Sequence, residues 1–274
     1  MLNWRSVRHV PNTRFTRSIG PERKETPMSR VAVVTGAGQG IGREYALALA
    51  QDGHHVVAAD LNKDAVLALA ERAKAQGLDI VALPVDVSDK ASVEALAAAV
   101  RRDVGPVQIL VNNAAIYHSM RQDPQLTVDI DYWRKVFAVN VDGALLCTQA
   151  FAPDMIEASW GRVIMQTSTA AYLGKGGHYG VSKVALIGVT QGFARELGPK
   201  GITVNAIAPG PIDTEATRVT VTDEIMQRLM TSIPLGRMGS TDDLLGTLRF
   251  LVSDAAAWMT GQVLVVDGGL TKRL

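Results

Sequence analysis

From Met28 onward, short β-branched runs alternate with longer Ala- and Leu-rich stretches, and this alternation constrains the fold more than any other feature of the chain. Seven runs have strand character: Val31 to Thr35, His55 to Ala59, Ile80 to Val85, Ile109 to Val111, Arg162 to Thr167, Thr203 to Ala208 and Val263 to Val266. They are nearly continuously apolar, which suits strands of a parallel sheet buried on both faces. Between them, stretches such as Gly42 to Gln51, Ala65 to Gln76 and Val93 to Arg102 carry apolar residues at helical spacing. The pattern predicts a doubly wound α/β fold, with one seven-stranded, mainly parallel sheet flanked by helices on both faces. No Pro/Gly/Ser-rich linker interrupts residues 28–274, so a single domain is expected there.

Residues 1–27 are different in kind. They hold Arg5, Arg8, Arg14, Arg17, Arg23 and Lys24 against Glu22 and Glu25, carry Pro11, Pro21 and Pro27, and show no apolar period. A disordered or dispensable N-terminal extension is expected, with Met28 as the working start; an organelle transit peptide shares this Arg-rich composition. Over all 274 residues, 28 Lys and Arg balance 27 Asp and Glu, so the charge does not point to a nucleic acid. No run of about 18 uninterrupted apolar residues offers a membrane span. The one cysteine, Cys147, can form neither an internal disulfide nor a thiolate metal site, and no metal-ligand spacing links the histidines. A reducing, cytoplasmic setting is expected, with no metal and no membrane partner.

The chemistry begins at Thr35-Gly36-Ala37-Gly38-Gln39-Gly40-Ile41-Gly42, directly after the first strand and before the first helical run. Glycines there permit a tight turn and close backbone approach, so that a pyrophosphate can sit against free amides at the positive end of the helix. The segment has no Gly-Lys-Ser/Thr, which removes the P-loop alternative, and its placement is that of the dinucleotide turn of a Rossmann fold. Asp60 ends the second strand, 18 residues beyond Gly42. A carboxylate at that position accepts hydrogen bonds from an adenosine ribose and repels a 2′-phosphate. With Gln39 uncharged and no basic residue directly after Asp60, NAD is expected in preference to NADP. Both signals fit a methyltransferase as well as a dehydrogenase. The segment Tyr179-Gly180-Val181-Ser182-Lys183 separates the two, because it puts a phenol and an ammonium on one face of a helix. A phenol must drop by about three pKa units, roughly 4 kcal/mol, to act as a base near neutrality, and an adjacent ammonium supplies that stabilisation. An isolated Tyr and Lys at this spacing are also common as a packed ring and a solvated charge.

Taken in order, the glycine turn, Asp60, Asp86-Val87, Asn112-Asn113-Ala114-Ala115, Asn140, Ser168, Tyr179 with Lys183, and Pro209-Gly210-Pro211-Ile212-Asp213-Thr214 resemble the short-chain dehydrogenase/reductase family. The resemblance covers essentially all of Met28 to Leu274, including Gly261 to Gly269 as the last strand and turn. It implies that Tyr179 exchanges a proton with the substrate oxygen while hydride passes between substrate carbon and nicotinamide. It further implies that Lys183 binds the nicotinamide ribose and lowers the Tyr179 pKa, and that Ser168 hydrogen-bonds the reacting oxygen. Asn140, mid-helix, would hold a water linking Lys183 to solvent. For the cofactor it implies Gly36, Gln39, Gly40, Ile41 and Gly42 at the pyrophosphate, with Asp60 and Leu61 at the adenosine end. Asp86 and Val87 would flank the adenine, and Asn113 and Ala114 would run beside the adenosine ribose. Pro209, Gly210, Ile212 and Thr214 would lie at the nicotinamide, with Ile212 and Thr214 binding its carboxamide. The implied activity is NAD-dependent interconversion of a secondary alcohol and its ketone. The alternatives are a 3-oxoacyl-thioester reductase using NADPH and a catalytically silent dinucleotide-sensing module.

Two features depart from the family pattern. Ser168 lies 11 residues before Tyr179, closer than is usual, as though the Gly174-Lys175-Gly176-Gly177 loop were shortened. Ala115 stands where glycine is common, which adds a methyl near the cofactor or the catalytic helix. Specificity is expected from Ile116 to Thr127, Thr169 to His178 and Glu215 to Gly236, with His118 and His178 near the substrate mouth. The last region reads as a lid, in which Ile225, Met226, Leu229 and Met230 either cover an apolar substrate or form ordinary core. A small or medium apolar secondary alcohol, cyclic ones included, is the expected substrate. Val181, Ala185, Gly188 and Gly192 form a small-residue stripe. The resemblance implies pairing there across a two-fold axis into a homodimer or homotetramer; burial against the chain's own sheet is the plainer account.

Overall fold

The computed structural model describes residues 29–117, 120–121, 123–174, 176–220, 227 and 230–272; the N-terminal leader, His118, Lys175, Ile225, Met226 and Leu229 lie outside them. One sheet runs through it in the order β3-β2-β1-β4-β5-β6-β7. Its strands are β1 Val31–Thr35, β2 His55–Asp60, β3 Ile80–Pro84, β4 Val107–Asn112, β5 Gly161–Gln166, β6 Ile202–Pro209 and β7 Val263–Val266. Every pairing among them is parallel. The helices are α1 Gly40–Gln51, α2 Lys63–Ala75, α3 Lys90–Asp103, α4 Ile130–Phe137, α5 Gly143–Glu157, α6 Ala170–Leu173, α7 Gly177–Leu197, α8 Glu215–Thr220 and α9 Asp242–Val252.

Alternation along the strands divides the core into two layers. In β1, Val31 and Val33 enter one and Ala32 and Val34 the other. The first layer is closed by α3, α5 and α7 through Leu96, Val100, Phe151, Met155 and Leu186. The second is closed by α1, α2 and α9 through Tyr45, Leu49, Leu69, Leu244 and Leu248. Because both faces are covered, nearly every strand position is apolar, and each fully buried Leu or Phe contributes about 1.5–3 kcal/mol. Two of the polar exceptions have clear partners. Gln108 extends β4 two residues ahead of its apolar run, because its side-chain carbonyl accepts the Val31 N–H at 2.9 Å. Arg162 sits in β5 at 2% exposure, its guanidinium 4.3 Å from the Trp160 ring centroid and bonded to Asp254.

A π-helical segment, Ala138–Asp142, joins α4 to α5. The run Ile130–Glu157 is long and apolar enough to cross a membrane by length and composition; here α5 packs on β4, β5 and α3. Strand order reverses between β1 and β4, so the loops leaving their C-terminal ends diverge and open a crevice at that edge of the sheet.

Candidate active site

The crevice is shaped first by how β1 ends. Thr35 Oγ1 donates to the Val111 carbonyl at 3.3 Å and accepts the N–H groups of Asn113 and Ala114 at 3.1 and 3.2 Å, tying the exits of β1 and β4 together. The chain then turns at Gly36, φ +66°, where a Cβ would lie 2.7 Å from the Ala114 Cα. At Gly42 a Cβ would lie 2.1 Å from the Gly36 carbonyl oxygen, so the turn closes only on glycine. Asn113 Nδ2 donates to the carbonyls of Thr35 and Gly36 at 3.1 and 3.0 Å. Its amide group therefore braces the turn, a duty the expected place beside a ribose does not include.

The start of α1 differs from those of α2, α3 and α4. Asn62, Asp89 and Asp129 cap α2, α3 and α4 with side-chain oxygens. Gln39 makes no such bond at α1, and no acidic residue occupies the first turn. The earliest intrahelical bond there is Arg43 N–H to Gln39 O, at 3.3 Å, which leaves the amides before it facing the crevice. The positive end of the helix dipole thus meets the cleft without a protein anion of its own. Asp60 stands nearby at the end of β2, half-buried. One of its oxygens accepts the Gly38 N–H and the other the Asn62 N–H, each at 2.9 Å. The carboxylate therefore braces two turns while it lines the cleft.

The opposite wall comes from β5 and α7. Thr167 Oγ1 donates to the main-chain carbonyl of Lys183 at 2.7 Å, and Lys183 Nζ donates to the Gln166 carbonyl at 2.7 Å, so the lysine is held at both ends by the end of β5. Nζ lies 5.5 Å from the Tyr179 ring centroid. Ser168 stands near enough to the Tyr179 hydroxyl to hold the phenol down against burial, and its Oγ accepts the Ala170 N–H at 3.2 Å. The shortened connection between them is the four-residue α6 followed by Gly174, Gly176 and Gly177, all at positive φ. Burial pushes the Tyr179 phenol above its ordinary value, Tyr117 adds to this, and Ser168 opposes it. Burial likewise brings Lys183 down to about 7. Desolvation thus drives both groups toward their neutral forms.

A cleft of about 740 Å³ joins these walls, the size of a small-molecule or cofactor site. Gly36, Gln39, Gly40, Ile41, Gly42, Asp60, Leu61, Asp86, Val87, Asn113 and Ala114 line it. So do Ser168, Tyr179, Lys183, Pro209, Gly210, Ile212 and Thr214. Asp86 Oδ1 accepts from both the N–H and the hydroxyl of Ser88.

Asn140 is the exception. It is 1% exposed within the π-helical segment and is not part of the cleft wall. Its Oδ1 accepts the Ile116 N–H at 2.7 Å and its Nδ2 donates to Ser182 Oγ at 3.1 Å. Ser182 Oγ in turn donates to the Tyr179 carbonyl at 2.7 Å. The expected regular helix is a π turn there, and the side chain links the loop after β4 to α7. His178 is also not in the wall: it packs edge-on against Tyr132, ring centroids 5.2 Å apart, and burial lowers its pKa against the pull of Asp123. Residues not singled out from the sequence include Tyr117, Tyr132, Lys135 and Thr217, which line the cleft from the loop after β4, α4 and α8 and share no motif.

The fold and this cleft define a dinucleotide-binding oxidoreductase. The chain belongs to the short-chain dehydrogenase/reductase family. Residues 36–271 match the family model described as enoyl-(acyl carrier protein) reductase. An uncharacterized oxidoreductase of Mycobacterium tuberculosis is 49% identical over 241 residues, 88% of this chain and 97% of the relative. A 3-oxoacyl-[acyl-carrier-protein] reductase of Staphylococcus aureus is 37% identical over 246 residues, 89% of this chain and 98% of the relative. Among solved structures, a gluconate 5-dehydrogenase from Burkholderia cenocepacia, in complex with NADP and tartrate, superposes with a TM-score of 0.84 at 34% identity, covering 89% of this chain and 96% of that one.

Proposed function

We propose that this protein prefers NAD and interconverts a secondary alcohol and its ketone, with Tyr179 as the acid/base. The observation that carries the reading is the meeting of Ser168, Tyr179 and Lys183 in one cleft with an uncapped helix start and Asp60. The residues fit a dinucleotide: the glycine turn leaves backbone where side chains would clash, and the α1 amides lack a protein anion. Leu61, 73% exposed beside Asp60, offers an apolar surface to an adenine ring. Bound there, the nicotinamide supplies the hydride acceptor or donor. Ser168 orients the substrate oxygen, and the Tyr179 oxygen gives or takes its proton. Lys183 would hydrogen-bond the adjoining ribose, and its charge, which burial opposes, would favour the phenolate. A phenol kept protonated by burial is the working acid for ketone reduction, whereas alcohol oxidation requires the phenolate.

NAD preference is supported by the Asp60 charge, although NADP is the dinucleotide in the Burkholderia structure. Substrate is read as a small or medium apolar secondary alcohol, since Ile116, Tyr117, Ile212 and Ala216 line its end of the cleft. The name of the Staphylococcus relative favours a second reading, a 3-oxoacyl-thioester reductase using NADPH. Mixing the purified protein with either dinucleotide and a panel of secondary alcohols, or with NADPH and a 3-oxoacyl thioester, separates them by reduced-nicotinamide absorbance. Dinucleotide binding without turnover of any substrate would indicate a sensing module. Residues 28–274 are read as the catalytic domain, so a variant starting at Met28 keeps its activity. The stripe at Val181, Gly188 and Gly192 is exposed; α7 buries Ser182, Lys183, Leu186 and Thr190 against the rest of the chain. That exposure supports a homodimer or homotetramer, which sedimentation tests.

A further inference from the structure

We propose that the side-chain amide of Gln166, held by the buried Tyr45 hydroxyl, is a cofactor-binding group that donates a hydrogen bond to the nicotinamide nucleoside of the dinucleotide beside Lys183. The proposal rests on the reading of the cleft as a dinucleotide site and adds a contact from β5 that no motif marks. Gln166 is the last residue of β5 and lines the cleft. Side chains alternate along the strand, so that Met165 enters the layer closed by α3, α5 and α7, and Ile164 the layer closed by α1, α2 and α9. Gln166 therefore points as Ile164 does, toward α1. Its main-chain carbonyl meanwhile accepts Lys183 Nζ at 2.7 Å. One residue thus touches both the helix that the glycine turn opens and the lysine of α7.

On the α1 side the Tyr45 hydroxyl donates to Gln166 Oε1 at 3.2 Å. Tyr45 is fully buried, and burial pushes its phenol above the ordinary value, so the hydroxyl keeps its proton. That proton has no other acceptor among the described residues, and a sealed O–H without one is costly. The amide must therefore present its oxygen to Tyr45, which decides which way round it sits and leaves Nε2 free of the phenol. Among the described residues Nε2 has no hydrogen-bond partner, yet it is not one of the enclosed polar atoms left without one. It is consequently accessible, and the cleft is the surface that Gln166, 5% exposed, reaches. Tyr179 and Lys183 work at the reacting ring, so an N–H next to Lys183 faces the nicotinamide nucleoside, whose ribose hydroxyls and carboxamide carbonyl are acceptors.

Two measurements on the full-length protein test this, and the first needs no dinucleotide. Gln166→Leu strands the Tyr45 O–H and should lower Tm by about 2–6 °C, and adding Tyr45→Phe should recover most of that loss. Calorimetric titration then reads the contact itself. Gln166→Leu should weaken NAD binding by about three- to tenfold, the worth of one neutral hydrogen bond. ADP, which lacks the nicotinamide and its ribose, should bind within about twofold of the wild type. Gln166→Met, which fills similar space without an N–H, should match Gln166→Leu and replaces it should the leucine variant not fold. Tyr45→Phe should weaken NAD by less, and should do nothing further once Gln166 is replaced, because it acts only through the amide. NAD affinity unchanged in the Gln166 variants, equal losses for NAD and ADP, additive losses in the double variant, or no recovery of Tm there would overturn the proposal. A wild type that binds neither nucleotide gives a different result: it refutes the dinucleotide reading and the proposal with it, while the Tm recovery still reports the Tyr45–Gln166 bond.

Discussion

Asp60 offers the sharpest test of cofactor choice, because its carboxylate performs two tasks that one substitution separates. Asp60→Asn removes the negative charge and leaves one side-chain oxygen for two N–H donors, those of Gly38 and Asn62. Loss of bracing weakens the glycine turn for either dinucleotide alike, by about 1–3 kcal/mol for a hydrogen bond to a charged group. The charge acts only on a 2′-phosphate. At about 4 Å and an effective dielectric constant of about 20, one pair of unit charges interacts by about 4 kcal/mol. For a half-buried carboxylate at a cleft mouth, screening lowers this to about 1.5–3 kcal/mol, roughly a ten- to hundredfold difference in affinity. Calorimetric titration of NAD and NADP into both proteins, at low and high salt, reads the two effects apart. The ratio of the NADP to the NAD dissociation constant should fall by that factor in Asp60→Asn, and more at low salt. If both affinities drop equally and the ratio stays fixed, Asp60 only braces the turn and the preference for NAD has another source.

Two further predictions concern stability. Asp154, its side chain 7% exposed, accepts from Arg101 at 2.6 Å and from the Val107 N–H at 3.1 Å, so Asp154→Ala should cost about 2–3 kcal/mol by urea denaturation. Glu94→Ala, which breaks the exposed Lys90–Glu94 pair, should change stability by less than about 0.5 kcal/mol, and equal losses would contradict the assignment. Lys183 is held at about 7 against 10.5 when exposed, so unfolding above pH 7 takes up a proton. Between pH 7 and 9 this group makes stability rise with pH, by at most about 1.4 kcal/mol per unit. Above pH 9 the Cys147 thiol, pushed up to about 12 by burial, acts in the opposite sense. Lys183→Met should flatten the slope below pH 9, and coincident slopes would show that the ammonium is not buried.

Much of the fold is legible because it depends on residues close in sequence. The apolar runs of β1 to β7 follow from burial on both faces, and the glycine turn from a backbone approach that only Gly36 and Gly42 allow. Gln108 hides the start of β4, since its partner, Val31, is remote. The cofactor end of the cleft is legible for the same local reasons. What escapes is the tertiary pairing of polar groups. Nothing near Asn140 marks a π turn, because the bonds that hold its side chain come from Ile116 and Ser182. Tyr117 and Thr217, a hundred residues apart in the chain, line the same cleft. Asp60 and Asn113 look like ligand contacts in sequence, yet each also supports a turn.

The central claim is that the Tyr179 oxygen moves the proton when this protein acts on an alcohol or ketone. Comparing kcat/KM of the wild type and Tyr179→Phe on the best alcohol of the panel, with dinucleotide affinity measured in parallel, tests it most directly. A fall of about 10²–10⁴-fold in kcat/KM with dinucleotide affinity preserved is the predicted result. Turnover maintained in Tyr179→Phe would contradict it.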